Sequence, residues 1–177
     1  ALQQAPVVFA IDRAGLVGDD GATHHGVFDL AYLRQIPGMI VMAPKDENEL
    51  QHMLYTALHC HQPAAIRYPR GEGRGIAMDE TLEELAIGQG ELLTQDGEIT
   101  LLAVGSMVAV AEETAQLLAE RYQLKCTIIN ARFVKPLDEQ LILAHTLQQK
   151  LVVTMEEGIL AGGFGSAVLE LLSAQGR

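Results

Sequence analysis

Residues 13–26, RAGLVGDDGATHHG, bring a guanidinium (Arg13), two carboxylates (Asp19, Asp20) and two imidazoles (His24, His25) together among glycines. Such a set can orient a polar, charged substrate and move protons near neutral pH. A long loop leaving a strand-like run is uncommon in a compact domain unless it is functional or disordered, and binding residues concentrate on loops. In open parallel sheets ligands collect at the carboxyl ends of strands, and this loop leaves such an end. The competing reading is a solvated turn in which Asp19 and Asp20 satisfy backbone donors. The same carboxylates and imidazoles also suit a hydrolytic metal, although the loop alone defines no ligand geometry.

A second candidate lies in I-R-Y-P-R-G, where Arg67 and Arg70 point to different faces of a strand that Pro69 ends. Arg70 then stands near a carboxyl end as well, where a guanidinium can grip a phosphate bidentately; the alternative is a surface arginine paired with a carboxylate. G-I-L-A-G-G-F-G-S sets glycines and backbone donors at a helix start, which suits either an anion or close packing of helix on strand. Its spacing is not GxGxxG. His59, Cys60 and His61 are adjacent and cannot all face one ion, so a metal site there is discounted.

The elements needed to position these groups are legible in the hydrophobic pattern. Residues 6–11 (PVVFAI), 39–43 (MIVMA) and 64–68 (AAIRY) read as buried strands, with a short helix over 29–36 and a longer one over 47–59 capped by Asp46. Leu50, Met53, Leu54 and Ala57 form the apolar stripe of that second helix. Residues 71–88 carry glycines and the acidic run MDETLEEL without a strand signal, and read as a connector. Beyond it, 91–94 and 99–104 flank Asp96-Gly97, a strong hairpin signal. Helices over 108–121, 138–145 and 165–174 alternate with strands over 126–130 and 151–155. The expected class is α/β, with largely parallel sheets covered by helices.

The chain has 177 residues, 49% of them hydrophobic, and a net charge of −11 with a pI near 4.8; aromatic residues make up 5% and tryptophan is absent. This length allows a real core without staples. The acidic balance argues against a nucleic-acid partner and against docking on anionic membranes. No apolar run approaches the roughly 20 residues of a membrane span, and the start lacks a secretion signal, so a cytoplasmic location is expected. Cys60 and Cys126 show no CxxC pattern and are expected to be free thiols. The abrupt ends, without an initial Met and stopping at SAQGR, read as those of a cut piece.

The ordered blocks DRAGLVGDDGATHHGVFDLAYLRQIPGMIVMAPKDENEL, AAIRYPRG, NARFVKPLD and EEGILAGGFGSAVLELL resemble the transketolase family of thiamine-diphosphate enzymes. Within it they are most similar to the branch that condenses pyruvate with glyceraldehyde 3-phosphate and releases CO2. The resemblance covers essentially the whole chain. It implies the end of a pyrimidine-binding-type domain over 1–72, a linker over 73–87 and a truncated C-terminal-type α/β domain over 88–177. It also implies that Arg13 and Arg70 hold the acceptor's phosphate, that Asp20 binds the acceptor hydroxyl, and that His24 stands near the reacting carbon as a proton-transfer or oxyanion-stabilising group. His25 has no comparable role. Thiamine diphosphate and Mg2+ are implied as cofactors, held by residues outside this chain, and the parent is implied to be a homodimer.

A further expectation follows: Arg13 and Arg70, far apart in sequence, should converge on one basic pocket within an acidic chain. A piece of this kind is expected to be inactive alone. Two other readings stand beside it, a non-catalytic assembly module and a transketolase-like or 2-oxo-acid dehydrogenase subunit with a different acceptor.

Overall fold

The computed structural model describes residues 3, 5–95 and 97–176. Two four-stranded sheets, each flanked by helices, build an α/β structure. The first contains β1 (Val8–Ile11), β2 (Ile40–Met42), β3 (Ala64–Arg67) and β7 (Phe133–Lys135), in the order β1-β3-β2-β7. The second contains β4 (Glu91–Gln95), β5 (Ile99–Ala103), β6 (Cys126–Asn130) and β8 (Leu151–Met155), in the order β4-β6-β5-β8. Pairs β1·β3, β2·β3, β5·β6 and β5·β8 are parallel, whereas β2·β7 and β4·β6 are antiparallel.

Five helices cover these sheets: α1 (Asp29–Leu33), α2 (Glu47–His59), α3 (Met107–Tyr122), α4 (Glu139–Thr146) and α5 (Phe164–Ala174). Asp46 caps α2 by accepting from Glu49 N at 2.8 Å, and Asp138 caps α4 by accepting from Leu141 N at 2.9 Å, each satisfying an otherwise orphan donor. Among the described residues no helix is long and apolar enough to cross a membrane. Cys60 and Cys126 are free.

One core joins the two halves. Leu30, Leu33 and Val41 from the first sheet and its helix cluster with Leu102, Ile129 and Phe164 from the second. Phe164 is fully buried, and burying a side chain of that size is worth roughly 1.5–3 kcal/mol. The Glu49 carboxylate, on α2, is also buried at this junction; it accepts from Asn130 Nδ2 (2.9 Å), Arg132 Nε (2.7 Å) and Lys45 N (2.7 Å).

The stretch 71–88 holds no helix or strand and is exposed nearly throughout. It is fastened to α2: Glu47 accepts from Gly75 N and Ile76 N at 2.6 and 2.9 Å, His52 Nδ1 accepts from Glu83 N at 3.1 Å, and Thr56 Oγ1 accepts from Leu85 N at 2.8 Å.

Three expectations are corrected. The strand at 6–11 is not buried: β1 is an edge strand with Phe9 45% exposed, because only β3 flanks it. Leu54 is 43% exposed and leaves the apolar stripe of α2, which is completed by Thr56 instead. The flanks of Asp96-Gly97 are not a paired hairpin, since β6 lies between β4 and β5. Asp96 itself is outside the described residues; Gly97 packs so tightly on the backbone of Lys125 that a Cβ would collide with it, so the chain crosses the start of β6 rather than turning back on its neighbour. β7, which no pattern in the sequence announced, crosses from the second half to complete the first sheet.

Candidate functional site

The loop at 13–26 is rooted on the carboxyl end of β3. Tyr68 N donates to Ile11 O at 2.9 Å and Ala14 N donates to Tyr68 O at 3.1 Å, continuing the β1·β3 ladder past its last paired residues. Gly15 N then donates to Gly26 O at 3.2 Å, closing the base of the loop. Gly26 is required at that point, because a Cβ would strike Arg13 O and approach Asp29 Oδ2 to 2.5 Å. Between these ends the chain makes two single 3-10 turns, over Gly18–Asp20 and Ala22–His24.

This root places Arg13 beside the residues that follow β3. Arg13 lies in the left-handed region at φ +63°, an uncommon conformation for a side chain of this size and one often held at functional sites. Its Nε donates to Asp20 Oδ2 at 2.8 Å and its Nη1 to Asp12 Oδ2 at 2.5 Å. Arg70 Nη1 pairs with Asp20 Oδ1. A single carboxylate therefore gathers both arginines, one on each oxygen. Arg70, then Arg13, hold the Asp20 carboxyl below the usual carboxylate range, and Asp20 followed by Asp12 hold Arg13 above its ordinary value.

The pair is not a bare basic pocket: two guanidinium groups face two carboxylates, so the cluster carries no net charge. Arg70 is 48% exposed at its side chain and lines a cavity of about 350 Å³ with Leu16, Val17, Gly18, Asp19 and Gly71.

The two histidines diverge. His24 is exposed, and its Nδ1 lies 3.0 Å from Thr23 Oγ1 without a hydrogen bond to the arginine–aspartate cluster among the described residues. His25 is half-buried, and its Nδ1 accepts from Val17 N at 2.9 Å. That contact ties the two legs of the loop, requires a neutral ring with the proton on Nε2, and was not anticipated from the sequence.

Beneath the loop lies a second charged layer. Arg67 is 2% exposed, and burial pulls its guanidinium below the usual arginine value against the opposing charges of Glu157, Asp29 and Glu156. Glu157 accepts from Ser106 Oγ and stands directly under Gly15, where a Cβ would come within 2.8 Å of its Oε1. Strand alternation indicated that Arg67 and Arg70 part company; only the tertiary fold shows that the buried member lies in the field of carboxylates from both halves while its Nε and Nη1 have no hydrogen-bond partner among the described residues.

The glycine-rich start of α5 is occupied from within the chain. Glu156 accepts from Phe164 N at 2.8 Å and Gly165 N at 2.9 Å, and a Cβ on Gly163 would meet the same carboxylate at 2.5 Å. The glycines admit this internal cap, which is the packing alternative rather than a site for an external anion. Among the described residues, no group of three or more His, Cys, Asp or Glu side chains is placed to hold a metal ion.

Comparisons with known proteins fit this architecture. Residues 1–75 match the family model described as transketolase, pyrimidine binding domain, and residues 88–176 match transketolase, C-terminal domain. The chain is 59% identical over 175 residues to the 1-deoxy-D-xylulose-5-phosphate synthase of Heliobacterium modesticaldum, and 60% identical over 177 residues to that of Symbiobacterium thermophilum. Each alignment covers 99% of this chain and 27% of the relative, so the chain spans about a quarter of the length of these proteins. Among solved structures, a split-gene transketolase described as an inactive beta4 tetramer superposes with a TM-score of 0.84 at 31% identity, covering 97% of this chain and 55% of that one. A transketolase from Campylobacter jejuni shares the fold, with a TM-score of 0.64 at 20% identity over 93% of this chain and 29% of its own.

Proposed function

The chain belongs to the transketolase family, and on that premise we propose that it is the acceptor-binding portion of a 1-deoxy-D-xylulose-5-phosphate synthase. In this reading the parent enzyme condenses pyruvate with glyceraldehyde 3-phosphate and releases CO2, as a transketolase-type transferase. Its product feeds isoprenoid, thiamine and pyridoxal synthesis, and the parent is a cytoplasmic homodimer.

The observation that carries the reading is the convergence of Arg13 and Arg70 on the two oxygens of Asp20, with Arg70 also lining an open cavity. Two guanidinium forks at that spacing suit the oxygens of a phosphate monoester. Arg13 and Arg70 bind the acceptor's phosphate, Asp20 binds its hydroxyl, and the exposed His24 imidazole gives or takes a proton near the reacting carbon.

Thiamine diphosphate supplies the electron-sink chemistry in enzymes of this family. The residues of this chain do not fit its Mg2+ site, since no cluster of metal-ligating side chains occurs among those described. By the family resemblance the cofactor and its metal are held by parts of the parent outside this chain, and the chain by itself is expected not to turn over.

The test is an assay of the complete parent for CO2 release from pyruvate that depends on glyceraldehyde 3-phosphate, repeated with Arg70→Ala. A raised acceptor KM with the pyruvate KM unchanged supports the phosphate role, and an unchanged acceptor KM removes Arg70 from the site. An assembly module would show no such release. A related enzyme with another acceptor would release CO2 without needing the phosphorylated aldehyde.

A further inference from the structure

Asp20 holds one nitrogen of each arginine and so bridges the two guanidinium groups. Its two oxygens take Arg13 Nε and an Arg70 terminal nitrogen, while Asp12 takes Arg13 Nη1 at 2.5 Å. An anion that is to use these same N–H groups of both arginines must take them from Asp20. The charge count makes the same demand. With Asp20 in place the cluster is neutral and Asp19 lines the adjoining cavity, so an incoming phosphate meets no net attraction. Once Asp20 leaves, two positive charges face Asp12 alone.

We propose that Asp20 is a built-in counter-anion that a phosphorylated ligand must displace, so that arrival of the phosphate frees the Asp20 carboxylate for the ligand's hydroxyl. The proposal rests on the acceptor-binding reading of Arg13, Arg70 and Asp20 and adds an order of events to it. A neutral ligand, or one whose single negative charge is poorly placed, cannot compete with a carboxylate already bridging two forks. A phosphate dianion presents three oxygens and more charge, and can replace both contacts together. Asp20 thereby acts as a specificity element as well as a ligand: its carboxylate is withheld from the hydroxyl until the correct head group has docked. The arrangement is suited to the exchange. Arg13 is fixed by its backbone position and by Asp12, the loop is tied at its base and between its legs, and Arg70 is half exposed toward the cavity. Only the Asp20 side chain needs to rotate.

The exchange has a sign that a merely supportive role for Asp20 lacks. Removing the carboxylate should strengthen binding of a bare anion. The experiment titrates the chain with inorganic phosphate at constant ionic strength, following the Arg13 and Arg70 side-chain N–H resonances. It compares the unsubstituted protein with Asp20→Asn, Asp20→Ser and the double variant Arg13→Ala/Arg70→Ala. Both Asp20 variants are expected to bind phosphate about threefold to tenfold more tightly, the range expected for losing competition from partly exposed charge-assisted contacts. The double arginine variant should lose binding. If the unsubstituted protein binds phosphate through the arginines and neither Asp20 variant gains affinity, displacement is overturned and the phosphate site stands. If no form binds phosphate, or the double arginine variant binds it as well as the rest, the phosphate site and the reading built on it fall together.

Discussion

Arg132 Nε donates to Glu49 Oε1 at 2.7 Å, joining the turn after β6 to the first turn of α2. The contact ties the second half of the chain to the first, and Arg132 adopts φ +56° while its carbonyl accepts from Ala43 N at 3.0 Å. Glu49 is 4% exposed, so losing its cation leaves a buried carboxylate with only Asn130 and a backbone N–H. Arg132→Met is expected to destabilise the protein by about 2 kcal/mol, read as a lower denaturant midpoint. Lys150→Ala, which removes a pair exposed on both sides, should change stability by less than about 0.5 kcal/mol. Equal effects from the two would remove the junction's special status.

Two glycines of the same loop should respond oppositely to one methyl group. Gly26→Ala forces a Cβ onto the backbone of Arg13 and the Asp29 carboxylate, so the base of the loop cannot close. Overpacking of this kind costs roughly 1–3 kcal/mol. At Gly18 a Cβ meets nothing within 4 Å, and its φ is not left-handed, so Gly18→Ala should be neutral or slightly stabilising. Thermal unfolding of the two variants decides between them.

Tyr32 provides a pH-dependent check on the ground under the loop. Burial first, then the hydrogen bond from its hydroxyl to Asp29 Oδ1 (2.9 Å), push its ionisation up to about 12. The folded state therefore favours the neutral phenol. Its contribution is fully present below the ordinary tyrosine value of about 10 and is lost as pH rises from there toward 12. An ultraviolet pH titration should show a late tyrosine phase, and Tyr32→Phe should abolish it. A late phase that survives the substitution would assign the shift elsewhere.

The clasp between His25 and Val17 predicts a local rather than global effect. His25→Ala should accelerate hydrogen exchange at the Val17 amide by about threefold to tenfold, the equivalent of one ordinary hydrogen bond, with global stability little changed. His25→Asn keeps an acceptor near the position of Nδ1 and should restore most of the protection. Exchange that is unchanged in His25→Ala would show that the loop is held by its base alone.

Much of this organisation is legible in the sequence, for identifiable reasons. Strands β6 and β8 and the cap at Asp46 announce themselves because β-branched runs and cap residues act locally. The loop at 13–26 stands out because charged groups and glycines are set between apolar strands. What was not legible depends on partners distant in the chain. β7 is three residues long, with its partner on the other half, and no local period could reveal it. The Asp96-Gly97 signal is real as a change of direction, but the interposed β6 decides what pairs with what. The convergence of Arg13 and Arg70 came from resemblance; their neutralisation by Asp12 and Asp20, the clasp at His25 and the buried setting of Arg67 came only from tertiary contacts.

The pairing of β2 with β7 separates continuity of the chain from integrity of the particle. Hydrolysis of one peptide bond in the exposed stretch 71–88 would leave a nicked molecule whose pieces still share a sheet, a core and the Glu49 contacts. Deleting everything beyond that stretch would instead strip β2 of its outer neighbour and uncover Leu30, Leu33 and Val41. A nick and a truncation at the same residue are thus opposite experiments, and the two halves should melt as one cooperative unit whether or not the backbone between them is intact.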